Sequence, residues 1–317
     1  MAEKIATRES YGSALNLLAD KYDFLVLDAD LAAATKTGIF KKAHPDRFFD
    51  CGIAEGNMMS VAAGIATTGK TVFASTFAMF ASGRAYEQVR NSIGYPGLNV
   101  KIGATHGGIT VGEDGATHQC NEDFALMRTI PGMTVICPAD ATEAYAAVEA
   151  AINHKGPVYM RFGRYAVPNL TPQIVPDYKF ELGKGVLYRT GKDVTIIATG
   201  YMVHLAYEAA ELLAEEGIDA GVINIHTIKP LDKELILSEV QKSGAVVTAE
   251  EHTVIGGLGS AVCELLCEAA PMPLIRVGVE DQYGRSGKVP ELLEIYGLTS
   301  KKIVESAKLA ISKKTNK

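Results

Sequence analysis

The chain has 317 residues, 47% of them hydrophobic, with 31 glycines and a net charge of −6. That length accommodates two domains of ordinary size, and the apolar fraction supports large cores. The acidic balance excludes a general nucleic-acid binder; with no apolar run long enough to span a bilayer and no secretion-signal pattern in MAEKIATRESYGSALNLLA, a cytoplasmic protein away from membranes is expected.

In chain order, Thr7 or Ser10 is placed to cap a first helix that ends near Ala19 and buries Ala14, Leu15, Leu17 and Leu18. FLVL at 24–27 reads as a buried strand ending in Asp28-Ala29-Asp30, and 48–51 as a second. RFFDCGIAEGNMMSVAAGIATTG then runs through a tight turn into a helix, with Glu55 as the only charge between Asp50 and Lys70. A third strand is predicted at 71–75 and a helix over 76–91 that carries Phe77, Phe80, Tyr86 and Val89. A fourth strand at 98–102 runs into THGGITVGEDGATHQ, too polar and glycine-rich for a regular element. A helix at 122–128, a strand at 133–137, a helix capped by Asp140 and a strand at 157–161 complete the first half. Pro168, Pro172 and Pro176 mark a linker over 166–180, between domains at 1–165 and 181–317.

The second half repeats the alternation. Strands are predicted at 185–188 (an edge), 194–198, 220–225, 245–249 and 273–277, with helices at 203–216, 232–242, 257–269 and, last, 289–296. The fold class is α/β: two units with mainly parallel sheets and right-handed crossovers. Cys51, Cys120, Cys137, Cys263 and Cys267 are odd in number and sparse, as in a reducing compartment. Cys263 and Cys267 lie four apart on a helix; with no histidine nearby they are expected to pack in the core, not to bind metal.

No dinucleotide fingerprint, nucleotide-hydrolase phosphate loop or nucleophile-elbow serine is present. GLGSA at 257–261 reads as a helix start with close backbone packing. Two readings of Glu55 stand from the residues alone: a surface acid in a first helical turn, or a buried acid retained for chemistry. His106, Glu113, Asp114 and His118 in the glycine-rich loop suit a metal, a polar loop or an active-site lid.

GIAEGNMMSVAAGIA, STFAMF and THGGITVGEDGATHQ, in that order, resemble the C-terminal half of transketolase, and the resemblance runs from about Arg8 to about Gly287. It implies two three-layer α/β/α domains, a pyrimidine-binding domain with a mostly parallel sheet followed by a transketolase C-terminal domain. It implies transfer of a two-carbon ketol unit from a ketose phosphate to an aldose phosphate through thiamine diphosphate. Catalytic roles fall on Glu55, His106 and His118. Asp30, Glu55, Phe77 and Phe80 would contact the cofactor, and Arg8, His106, Asp114, His118, Arg161 and Arg164 the sugar phosphate.

Two positions depart from the pattern. Gly83 stands where a tyrosine is usual, leaving the pocket more open or Tyr86 to substitute. Ala34 stands where a phosphate-binding serine is usual, losing a contact or passing it to Thr35. The GDG…N motif that holds the diphosphate through a divalent ion is missing, so no metal ligand is assigned here. A partner subunit carrying that motif and Mg2+ or Ca2+ is implied, in an α2β2 assembly. The alternatives are the beta subunit of a thiamine-dependent 2-oxoacid dehydrogenase, a deoxyxylulose-phosphate synthase-like enzyme, and a non-catalytic regulatory subunit.

Overall fold

The computed structural model describes residues 3–314. Seven strands form the first sheet, in the order Thr227–Lys229, Thr134–Ile136, Val158–Phe162, Val100–Thr105, Thr71–Phe77, Phe24–Asp28, Phe48–Asp50. All neighbours are parallel except Thr227–Lys229, which pairs antiparallel with Thr134–Ile136. The inner strands read as nearly continuous buried runs, as a sheet covered on both faces requires. Helices Thr7–Leu18 and Ala141–Asn153 cover one face through Tyr11, Leu15, Ala144 and Val148; helix Glu55–Ala66 covers the other through Met58, Met59 and Ala62.

The second sheet has the order Leu274–Val279, Val246–Thr253, Val194–Ala198, Ala220–Asn224, Val186–Arg189. It is parallel except for its edge strand Val186–Arg189. Helices Met202–Glu215 and Ser300–Ser312 pack one face, and Lys233–Ser243 and Leu258–Ala269 the other. Among the described residues no helix is long and apolar enough to cross a membrane.

The fold departs from expectation at several points. Ala6, not Thr7 or Ser10, precedes the first helix, without a side-chain cap. Thr7 Oγ1 instead accepts from Gly163 N at 2.8 Å, and Ser10 Oγ donates to Ala141 O at 2.6 Å. The third strand extends to Phe77, so Phe77 and Phe80 do not share one helix; cross-strand bonding to 100–105 outweighs the helical spacing. Residues 80–94 wind with π turns on either side of Tyr86–Gln88. The glycine-rich loop holds a 3-10 turn, Ile109–Asp114, kinked at Gly112.

The stretch expected as linker carries a strand, Val167–Pro168, paired with Lys4–Ile5, and a short helix, Thr171–Ile174. Helix Ser300–Ser312 and strand Thr227–Lys229 add to the predicted elements. Cys263 is half-buried and Cys267 exposed, so the pair does not pack in the core. The GLGSA helix start holds: the buried Glu250 carboxylate accepts from Leu258 N and Gly259 N, each at 2.7 Å. A side chain at Gly257 would collide with that carboxylate.

Candidate active site

Ligand-binding residues of parallel sheets gather beyond the carboxyl ends of the strands, and the candidate groups of the first unit do so. Asp28 ends its strand buried, accepting from Leu31 N at 2.6 Å and from the hydroxyls of Thr35 and Thr37 at 2.8 Å each. Burial pushes its carboxyl above the usual range. These bonds fold the turn that presents Asp30, exposed and at φ 61, with its N–H on Asp50.

Glu55 is the first residue of its helix and only 2% exposed. Burial of a carboxylate demands a partner, and Arg84 Nη1 supplies one at 3.0 and 3.2 Å from the two oxygens. The guanidinium also lies 4.5 Å over the Phe80 ring. Sequence reasoning missed Arg84, although its spacing of four from Phe80 on a helical stretch was visible. Because Arg84 is half-exposed, the pair is open to solvent screening.

These groups line a pocket of about 360 Å³ that also includes Asp30, Ile53, Thr117 and His118. Phe80 and His118 are the rings of its lining, and Phe77 and His106 pack behind them. Phe77 and Phe80 stack at 5.9 Å, His106 stacks on Phe77 at 3.9 Å, and His118 meets Phe80 edge-on at 5.4 Å. Gly83 does not leave a gap, because the Met79 methyl packs against it. Tyr86 does not substitute: its hydroxyl is bonded to Thr129 at 3.2 Å. A larger cavity, about 680 Å³, shares Thr117 with this pocket and holds none of the expected site residues.

His106 is buried at φ 58. Arg8 Nη1 lies 3.1 Å from its Nε2, and Thr105 Oγ1 2.8 Å from its Nδ1. A guanidinium only donates, so Nε2 accepts and the ring proton sits on Nδ1. Burial, then Arg8 and Arg164, lower the imidazole pKa to about 3. His106 is therefore neutral near pH 7, where a proton shuttle titrating close to neutrality was expected. His118 is half-buried, with Nδ1 2.9 Å from Thr117 Oγ1.

Arg8 and Arg164 line an adjoining cleft of about 520 Å³. Arg8 is oriented by the Ala34 carbonyl at 2.9 Å, so position 34 contributes its backbone in place of a hydroxyl. Thr35 cannot replace the serine, because its hydroxyl is bonded to Asp28. Arg164 donates to Val111 O and lies 3.7 Å from Glu113 and 3.9 Å from Asp114, both exposed. Arg161 is not among these groups. It is buried 3.4 Å from Asp123, donates to Cys120 O and covers the Phe124 ring. Its expected share in phosphate binding is replaced by a structural one. Among the described residues no group of three or more His, Cys, Asp or Glu could hold a metal ion.

Family models match the chain twice: transketolase, pyrimidine binding domain, over residues 3–169, and transketolase, C-terminal domain, over 183–303. The chain is 49% identical to a putative transketolase C-terminal section of Methanocaldococcus jannaschii, covering 94% of each. It is 48% identical to a 6-deoxy-6-sulfo-D-fructose transketolase subunit of a Clostridium strain, covering 95% of this chain and 92% of that one. A solved split gene transketolase, described as an inactive beta4 tetramer, superposes with a TM-score of 0.91 at 52% identity, over 98% of this chain and 100% of that one.

Proposed function

This chain belongs to the transketolase family, as its pyrimidine-binding and C-terminal portion, and we propose that it supplies the pyrimidine wall and the sugar cleft of a two-subunit enzyme. The reaction is transketolase-type ketol transfer with thiamine diphosphate. The substrates proposed are a ketose phosphate as donor and an aldose phosphate as acceptor. When bound, the cofactor supplies the electron sink that makes carbon–carbon cleavage accessible.

The observation that carries the reading is the buried Glu55 carboxylate on the wall of a pocket lined by Phe80, on which Phe77 stacks from behind. That combination fits an aminopyrimidine: flat faces for the ring, and one acid to exchange a proton with a ring nitrogen. Phe77 and Phe80 hold the ring, with Asp30 at the rim. Arg84 must release Glu55 for that contact to form. His118 and Asp114 bind sugar hydroxyls. His106, neutral and fixed by Thr105, aligns Arg8, and Arg8 with Arg164 takes the phosphate.

The diphosphate and its Mg2+ or Ca2+ belong to a partner subunit with a GDG…N motif, in an α2β2 assembly. The described residues offer no cluster to hold that ion. The solved split relative, an inactive beta4 tetramer, supports the need for a partner.

The test is turnover of the complex reconstituted with that partner. Glu55→Gln keeps the shape and removes the exchangeable acid; kcat falls about 100-fold or more, within the range for a lost general acid–base group. A far-UV circular dichroism spectrum matching wild type shows that the fold is kept. Turnover within threefold of wild type, about 0.6 kcal/mol in the barrier, overturns the assignment of Glu55.

A further inference from the structure

The cleft beside the aromatic pocket holds a cation from the second half of the chain. Lys288 lines it together with Arg8, Thr110, Glu113, Arg164 and Tyr165. Packing sets its place. Ser286 Oγ donates to Glu113 O at 2.7 Å, and an added Cβ at Gly112 would lie 3.2 Å from Val289 Cγ2 and 3.8 Å from Arg164 Nη1. The residues on either side of Lys288 are thus pressed onto the loop that Arg164 grips. Three cations share the cleft with one carboxylate, Glu113, which lies 3.7 Å from Arg164. Among the described residues Lys288 forms no ion pair of its own, whereas Arg164 faces Glu113 and Asp114.

Behind Arg8, Ala34 offers only a carbonyl, which Arg8 takes, and the Thr35 hydroxyl is held by Asp28. Positions 34 and 35 therefore orient a guanidinium and supply no free hydroxyl. We propose that Lys288 is a ligand for the terminal anionic group of the sugar, so that the second half of the chain closes the anion site begun by Arg8 and Arg164. This rests on the ketol-transfer reading above. The ligand class is a tetrahedral oxyanion on the last carbon, a phosphate or a sulfonate. Two guanidiniums grip its oxygens in fixed geometry, and the ammonium adds a compact charge that swings to meet it.

In the assembled enzyme, the readout is the ratio of kcat/KM for an aldose phosphate to that for the same aldose without phosphate. K288M lowers this ratio about fivefold, the scale of a solvent-exposed charge contact, and K288R restores it. A ratio unchanged in K288M overturns the proposal. A second measurement needs no turnover: the full chain is titrated with inorganic phosphate and with methanesulfonate. The tighter ligand identifies the anionic group, and its affinity drops about fivefold in K288M. Equal affinity in wild type and K288M overturns the proposal. Lys288-dependent anion binding with no ketol transfer by the assembled wild-type enzyme would sink the ketol-transfer reading and leave the anion site standing.

Discussion

Glu55 and His106 are both buried next to arginine, one as the partner of the guanidinium and the other against it. The isolated acid in GIAEGN was legible as unusual; that Arg84 returns to cover it was not, because that contact depends on how residues 80–84 wind after the strand. For His106, the residue type suggested proton traffic near neutral pH, but enclosure beside Arg8 and Arg164 removes it from that range. The expected outcome is a flat His106 ring resonance from pH 8 down to 5 in an NMR titration; a midpoint near 6.5 would mean the ring is solvated. The folded pKa, about 3, lies below the unfolded value, so the unfolded state takes up the proton first. His106 therefore contributes a loss of stability as pH falls from about 6.5 toward 3.

The glycine-rich loop shows that an element can be irregular and still rigid. Its turn Ile109–Asp114 is tied at several points by groups far away in sequence. Glu251 accepts from Thr110 N at 2.6 Å, Gln119 Nε2 donates to Ile109 O, Gly112 O and Arg285 O, and Ser286 donates to Glu113 O. Gly108 is required where it stands. It has φ +83, and a side chain there would collide with both Glu251 and Arg161. Burial raises the Glu251 pKa and Arg161 opposes that rise. Removing one member of a buried charged cluster strands the others, so Glu251→Ala is expected to cost about 3 kcal/mol in urea unfolding. A loss under about 1 kcal/mol would show that the carboxylate is not part of a desolvated pair. The second half of the chain carries little chemical signal in its residue pattern; its tethers on this loop are ones that no periodicity encodes.

At the scale of the whole molecule, the two sheets are not independent. Thr227–Lys229, from the second half, is the edge strand of the first sheet. Lys229 Nζ donates to Arg128 O at 2.8 Å and Ile130 O at 2.6 Å, fastening that strand to the first unit. Ile109 and Ala139 from the first half pack with the core of the second. A single cooperative thermal transition is expected, and Lys229→Met should destabilise it by about 2 kcal/mol through two lost charge-assisted hydrogen bonds. Two resolved transitions by calorimetry would show that the halves unfold separately.

By itself the sequence determined the alternation of buried strands and amphipathic helices, the two-unit α/β class, and the residues gathered at the strand ends. Those follow from local spacing, which sets backbone geometry and the buried face of each element. It also marked Glu55 as an isolated acid and His118 within a polar glycine-rich loop, whereas Phe80, Arg8 and Arg164 were singled out only by the resemblance to transketolase. Tertiary structure alone decided that Phe77 ends a strand, that Arg161 is buried against Asp123, that Arg84 pairs with Glu55, and that His106 is neutral. Each of these depends on which distant groups share a desolvated volume, and hydrogen-bonding and charge balance there outweigh any local preference.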